Sequence, residues 1–233
     1  MWDEQFRIFA EHNNVVRYDV RGFGKSSRPK EEYSDAEDLF SLLNHLKIRK
    51  ATILGVSNGG RIAFDFVSTH PNMVSGLILV SPGIRGYESS PDEDKAWDET
   101  GKKLDAQDLA IKENRIEDAV RIDIEIWASA QDAKGRSRLI QIATDNSHIH
   151  KNPPHKWQKS PQPPAFKSLG MIPVPVMLLV GDEDVVGMQM MAERLHGLIS
   201  GSKLVLMKGA DHIANMSKPN EFNRTVLAFL SSS

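Results

Sequence analysis

Cysteine is absent from all 233 residues. That excludes disulfides, thiolate nucleophiles and cysteine-ligated metals, and it fits a reducing, cytoplasmic location. Long apolar runs are also missing. No stretch approaches the roughly 20 residues of a membrane-spanning helix, and Met1–Ala10 is too polar for a secretory signal. Nor is there an excess of one charge. Lys and Arg number 29 against 31 Asp and Glu, a net of −2, which gives no reason to expect nucleic acid or an anionic membrane as partner. What remains is ordinary for a globular protein, with 40% apolar and 26% charged residues. The length suits one large domain or a domain carrying an insertion.

The most informative stretch is Ala51–Gly60, ATILGVSNGG. Ala51–Leu54 has the composition of a buried strand and Arg61–Val67 that of the helix after it. Between them stands Gly55-Val56-Ser57-Asn58-Gly59, a Gly-x-Ser-x-Gly pattern. A serine on so sharp a strand-to-helix turn is expected in strained backbone geometry, its hydroxyl beside the positive end of a helix dipole. Side chains at Gly55 and Gly59 are expected to collide with the neighbouring strand and helix. Alone, the pattern also fits a plain turn. The flanking strand and helix are what raise it.

Around this stretch the chain reads as an open, mainly parallel α/β sheet. Met1–His12 has helical spacing, Val15–Asp19 reads as a strand, and Val20–Ser27 is a glycine-rich loop. That loop fails as a phosphate cradle, because Asp19 stands where a P-loop needs its first glycine and Ser27 where a dinucleotide fingerprint needs its third. Ser34-Asp35-Ala36-Glu37 is a capping box opening a helix to Leu46, with Leu39, Leu42, Leu43 and Leu46 on its buried face. Gly76–Ser81 is a continuous apolar run, as parallel strands covered on both faces should be. Residues 1–83 form the first part of the core. Residues 84–165 form a helical cap with helices around Lys102–Lys112, Ile116–Ala130 and Arg136–His148, closed by the proline-rich Lys151–Ala165. Residues 166–233 complete the core, with strands at Val174–Gly181 and Lys203–Met207 and helices at Met188–Ile199 and Glu221–Leu230.

A serine hydroxyl needs a base, and the base needs an orienting carboxylate. In an open α/β sheet these groups gather beyond the carboxyl ends of strands. Gly181-Asp182-Glu183-Asp184 follows one strand, and Lys208-Gly209-Ala210-Asp211-His212 follows the next. Of the eight histidines, only His212 stands directly after a strand. His45 and His196 lie in helical patterns, His70 ends a helix and His12 lies near the first strand. His148, His150 and His155 are close in sequence but lack a carboxylate set, so no metal site is expected.

The segments YDVRGFGKSS, GVSNGG, LLVGDEDVV and GADHIANMSKPNEFNRTVLAFL together resemble the α/β-hydrolase superfamily, in its branch of enol-lactonases, small carboxylesterases and cofactor-free perhydrolases. They span the chain apart from the cap. The resemblance implies Ser57 as nucleophile, His212 as base, Asp184 rather than Asp182 as the acid, and the Asn58 backbone N–H as one oxyanion donor. Asp182 is then a capping or turn residue. Asn58 departs from the methionine or glutamine common there. No cofactor is implied. A second oxyanion donor comes in that family from a His-Gly loop, which this sequence lacks. The resemblance therefore implies that the first strands are missing, leaving a gap in the sheet between Val15–Asp19 and Ala51–Leu54.

Two readings follow. One is a serine hydrolase of small esters or lactones, with carbon–carbon bond hydrolysis or acyl transfer as variants of the same triad. The other is a non-catalytic binding protein that keeps the fold. Trp97, Trp127, Trp157 and Phe166 are candidates for a pocket lining, with core packing as the default.

Overall fold

The computed structural model describes residues 1–151 and 153–232. Its centre is a sheet of four parallel strands, β1 Ala51–Val56, β2 Val74–Val80, β3 Val176–Gly181 and β4 Lys203–Met207, in the spatial order β1-β2-β3-β4. Side chains alternate across the sheet as the strand period of two requires. Leu77 and Leu79 of β2 and Val176 and Leu178 of β3 enter one core. Ile78, Val80, Met177 and Leu179 enter the other. Both cores are covered, which is why β2 and β3 are apolar without interruption.

The first core is closed by α2 (Asp35–His45), α3 (Asn58–Thr69) and α9 (Val186–Leu198), the second by α1 (Asp3–Phe9), α10 (Ala214–Ser217) and α11 (Pro219–Ser231). Local sequence sets these ends. The Ser34 hydroxyl accepts from the Glu37 N–H at the start of α2, and Pro219 stands in the first turn of α11, where its missing N–H costs nothing. The expected buried face of α2 holds at Leu39 and Leu43, but Leu46 is 43% exposed. It is the residue after the last helical one and turns away from the core.

Between β2 and β3 lies the helical segment: α4 (Pro91–Ala96), α5 (Asp98–Lys112), α6 (Ile116–Trp127), α7 (Ala133–Asp145) and the short α8 (His148–Lys151). α4 was hidden by its acidity. Ser90 and Glu93 make a reciprocal capping box there, and Glu93 also holds Arg194 of α9 at 2.6 Å and accepts from the Tyr87 hydroxyl. Burial pushes the Glu93 carboxyl up, but the Tyr87, Ser90 and Arg194 donors outweigh it and hold it at about 2. The proline-rich stretch is more ordered than a plain linker. It holds a 3-10 turn at Pro154–Trp157, and Tyr33 N–H and Lys159 N–H exchange bonds with Trp157 and Tyr33 carbonyls at 2.9 and 2.7 Å.

Val15–Asp19 is not a strand. It joins no ladder among the described residues, and β1 has a strand partner on one side only, β2. The physical reason is that an extended chain becomes a strand only through a backbone partner, and this one is held by side chains alone. Val15 packs on the second core, Arg17 pairs with Asp3 at 2.5 Å, and Val16 and Tyr18 face outward.

Candidate active site

Ser57 sits between β1 and α3 with φ 52° and ψ −110°, a conformation that non-glycine residues avoid. Its backbone is held on both sides. The Ser57 N–H donates to Val80 O at 2.9 Å, while Ser57 O accepts from Arg61 and Gly83, each at 3.1 Å. A Cβ at Gly55 would overlap the Gly59 carbonyl and the Gly60 nitrogen, so glycine is required there. Gly59 differs from expectation. A Cβ on it meets nothing within 4 Å, and the crowding falls instead on Gly60, against Pro82. The sequence pattern identified the turn but misplaced its second steric constraint.

Asn58 opens α3, so its N–H has no intrahelical acceptor and points out of the helix end. Its side chain turns the other way and accepts from Arg61 Nε at 2.8 Å. Arg61 is the centre of a buried ionic cluster. It pairs with Asp35 and, at 2.7 Å, with Asp65; Arg85 reaches Asp65 at 3.0 Å. Burial pushes the Asp65 carboxyl up against the opposing pull of Arg61 and Arg85.

At the carboxyl ends of β3 and β4 the other two residues meet. His212 Nδ1 lies 3.1 and 3.0 Å from the two Asp184 oxygens, and both residues are buried. Asp184 is fixed by two further donors, the Ser81 hydroxyl at 2.6 Å and the Val185 N–H at 2.8 Å. Ser81, fully buried with φ 41°, was missed in the sequence because nothing marks a serine after an apolar run as a carboxylate partner. Of the two readings for Asp182, the turn holds and the helix cap does not, since Val185 is the N-cap of α9 and Asp182 stands in the turn after β3. Its Oδ1 accepts from Gly209 N–H, tying the loop after β3 to the loop after β4. Among the described residues no hydrogen bond joins the Ser57 hydroxyl to His212.

The helical segment adds groups that spacing alone could not place. The Trp127 ring lies 4.5 Å from the His212 ring, and Trp97 lies 6.4 Å from Trp127. Asp123, one turn before Trp127 on α6, accepts from Gln107 Nε2 at 3.1 Å. Burial pushes the Asp123 carboxyl up, opposed by Gln107 and by the charges of His150 and His212. Phe166 packs edge-on against Tyr87, while Trp157 is mostly a surface residue.

The glycine-rich loop is occupied by the helical segment, with Gly24 N–H donating to Asn146 Oδ1 at 2.8 Å and His148 Nε2 2.8 Å from Gly22 O. Among the described residues there is no cluster of His and carboxylates able to hold a metal. No helix among them is long and apolar enough to cross a membrane.

A strained serine between strand and helix, and a buried Asp–His pair beyond two parallel strands, define a class of protein. Residues 1–219 match the model of the alpha/beta hydrolase fold family, and the chain belongs to that family. It is 24% identical over 239 residues to 3-oxoadipate enol-lactonase 2 of Acinetobacter baylyi, covering 99% of this chain and 83% of that one. An esterase from Exiguobacterium antarcticum superposes with a TM-score of 0.77 at 24% identity, over 98% of this chain and 85% of the other. The enol-lactonase from Burkholderia xenovorans gives 0.76 at 22%, over 99% and 85%. At these identities the structural likeness carries the fold.

Proposed function

We propose that this chain is a serine hydrolase that cleaves a small carboxylic ester or lactone through Ser57, His212 and Asp184. The observation that carries the reading is the His212–Asp184 pair. A buried carboxylate on Nδ1 fixes the tautomer and leaves Nε2 free as the base. Nε2 takes the Ser57 proton as Oγ attacks the ester carbonyl. The Asn58 N–H, free at the start of α3, stabilises the oxyanion. His212 then protonates the leaving alcohol, and a water deprotonated by His212 releases the acid from the acyl-enzyme. Hydrogen bonds to the nucleophile are often long without substrate and shorten in the reacting complex. The relatives include a protein named as an enol-lactonase and one named as an esterase, and both names agree with acyl chemistry.

The test is labelling with a small fluorophosphonate. Wild type is expected to label and Ser57→Ala to remain unlabelled. A folded wild type that does not label refutes the hydrolase and favours a binding protein on the same scaffold. A screen of short acyl esters against lactones then separates the two substrate types.

A further inference from the structure

We infer that Asp211 is a positioning residue that locks the α6–α7 connector onto the His212 loop, so that the base is held from the helical segment as well as from the sheet. This rests on the proposed role of His212. Asp211 is 1% exposed and its carboxylate is filled entirely by neutral donors. Oδ2 accepts from Ala130 N–H at 3.1 Å, both oxygens accept from Gln131 Nε2 at 3.0 Å, and Oδ1 accepts from Ile213 N–H at 3.0 Å. Its own N–H donates to the Ser217 hydroxyl at 3.3 Å.

Burying a carboxylate without a cation is costly unless several N–H groups replace its water. Here those groups come from the residue beyond His212 and from residues 130 and 131 of the connector. The end of α6 and the connector reach the site twice more. Trp127 lies on the His212 ring, and Ser129 Oγ donates to Glu183 O at 3.3 Å, next to Asp184. Apolar packing follows the same seam, since Ile213 and Met216 lie against Val120, Ile124, Ala128 and Leu139. Four of the five residues 127–131 therefore touch the base, the residue before it or the residue before the proposed acid. Asp184 fixes the imidazole through Nδ1, and Asp211 fixes the backbone that carries it.

The variants Asp211→Ala, Asp211→Asn and Gln131→Ala test this, each checked for folding by its unfolding midpoint. A displacement of about 1 Å at a reacting group can cost ~10²-fold in rate, so labelling of Ser57 by a small fluorophosphonate is expected to slow by that order in Asp211→Ala. Gln131→Ala removes one of the donors and is expected to show a smaller loss in the same direction. Asp211→Asn is expected to recover part of the rate. Its oxygen can still accept from Ile213, and with the Gln131 amide turned over its NH2 can donate to Gln131 Oε1, which has no partner among the described residues, while the Ala130 N–H loses its acceptor. With a turnover substrate the loss is expected in kcat, with KM little changed. Folded Asp211→Ala and Gln131→Ala proteins that label at the wild-type rate, with only KM raised, would overturn the inference and leave Asp211 a structural anchor. If wild type does not label at all, the hydrolase reading fails separately. The positioning role is then read from the His212 ring signals by NMR, which are expected to shift in Asp211→Ala; unmoved signals would overturn it.

Discussion

Arg61 gives the sharpest test of how the floor of the site is built. Its side chain is 12% exposed, and those of Asp35 and Asp65 are 3% exposed each. Replacing it with Met keeps most of the aliphatic stem and removes only the guanidinium. Asp65 retains Arg85, but Asp35 loses the one ion pair it has among the described residues. Breaking a buried ion pair from one side costs about 3–5 kcal/mol, because the surviving charge stays buried. Against a typical total of roughly 5–15 kcal/mol, that is a large loss. Urea denaturation of wild type, Arg61→Met, Asp35→Asn and the double variant would measure it. The double variant is expected to be more stable than Arg61→Met alone, since the orphaned charge is gone. An Arg61→Met protein less than about 1 kcal/mol below wild type would place the cluster in the class of weak surface pairs and refute this account.

Three further outcomes follow from particular contacts. Asp184→Asn keeps the shape but turns a donor toward His212 Nδ1, and should lower kcat by about 10⁴ in a steady-state ester assay, as tautomer inversion does in other triads. Glu93 sits at about 2 against an ordinary 4.5; its stabilisation is therefore present above pH 4.5 and lost as pH falls toward 2. A shift of that size is worth about 3 kcal/mol, so urea midpoints of wild type and Glu93→Gln between pH 7 and pH 3 should converge in acid. Gly59→Ala should be neutral or stabilising by up to about 1 kcal/mol, the glycine penalty inside a helix, whereas Gly55→Ala should fail to give soluble folded protein; equal behaviour of the two would contradict the crowding found at the turn.

The sheet was legible because its signal is local. Apolar runs such as Leu77–Val80 and Val176–Val180 are short and bounded by glycine, proline or serine, which marks them as strands buried on both faces, and chain order alone brought Asp184 and His212 to adjacent loops. Val15–Asp19 carries β-branched and aromatic residues that also suit a strand, but pairing is decided by what lies beside a strand, and composition does not record neighbours. Gly59 and Gly60 illustrate a finer limit. Both are glycine next to the same serine, and only the position of Pro82 tells which one is crowded. Ser81 was invisible for a related reason, since it acts on Asp184 across a long sequence separation; Trp127 could be named only as a pocket candidate, and Asp211 stands beside His212 but takes donors from residues 130 and 131, far off in the chain. The helix α4 lies in an acidic, polar stretch without apolar spacing, although an acidic first turn favours a helix start.

The backbone of Ser57 has a consequence for engineering. A residue held at φ 52° carries roughly 1–3 kcal/mol that the rest of the fold must offset. Glycine accepts that geometry freely, so Ser57→Gly would give a protein without its hydroxyl that is harder to unfold than wild type. Selection for robustness alone would drift toward that residue. With Ser57 as the nucleophile proposed above, the fold exchanges stability for chemistry at this position, an exchange from which a scaffold that only bound ligands would gain nothing.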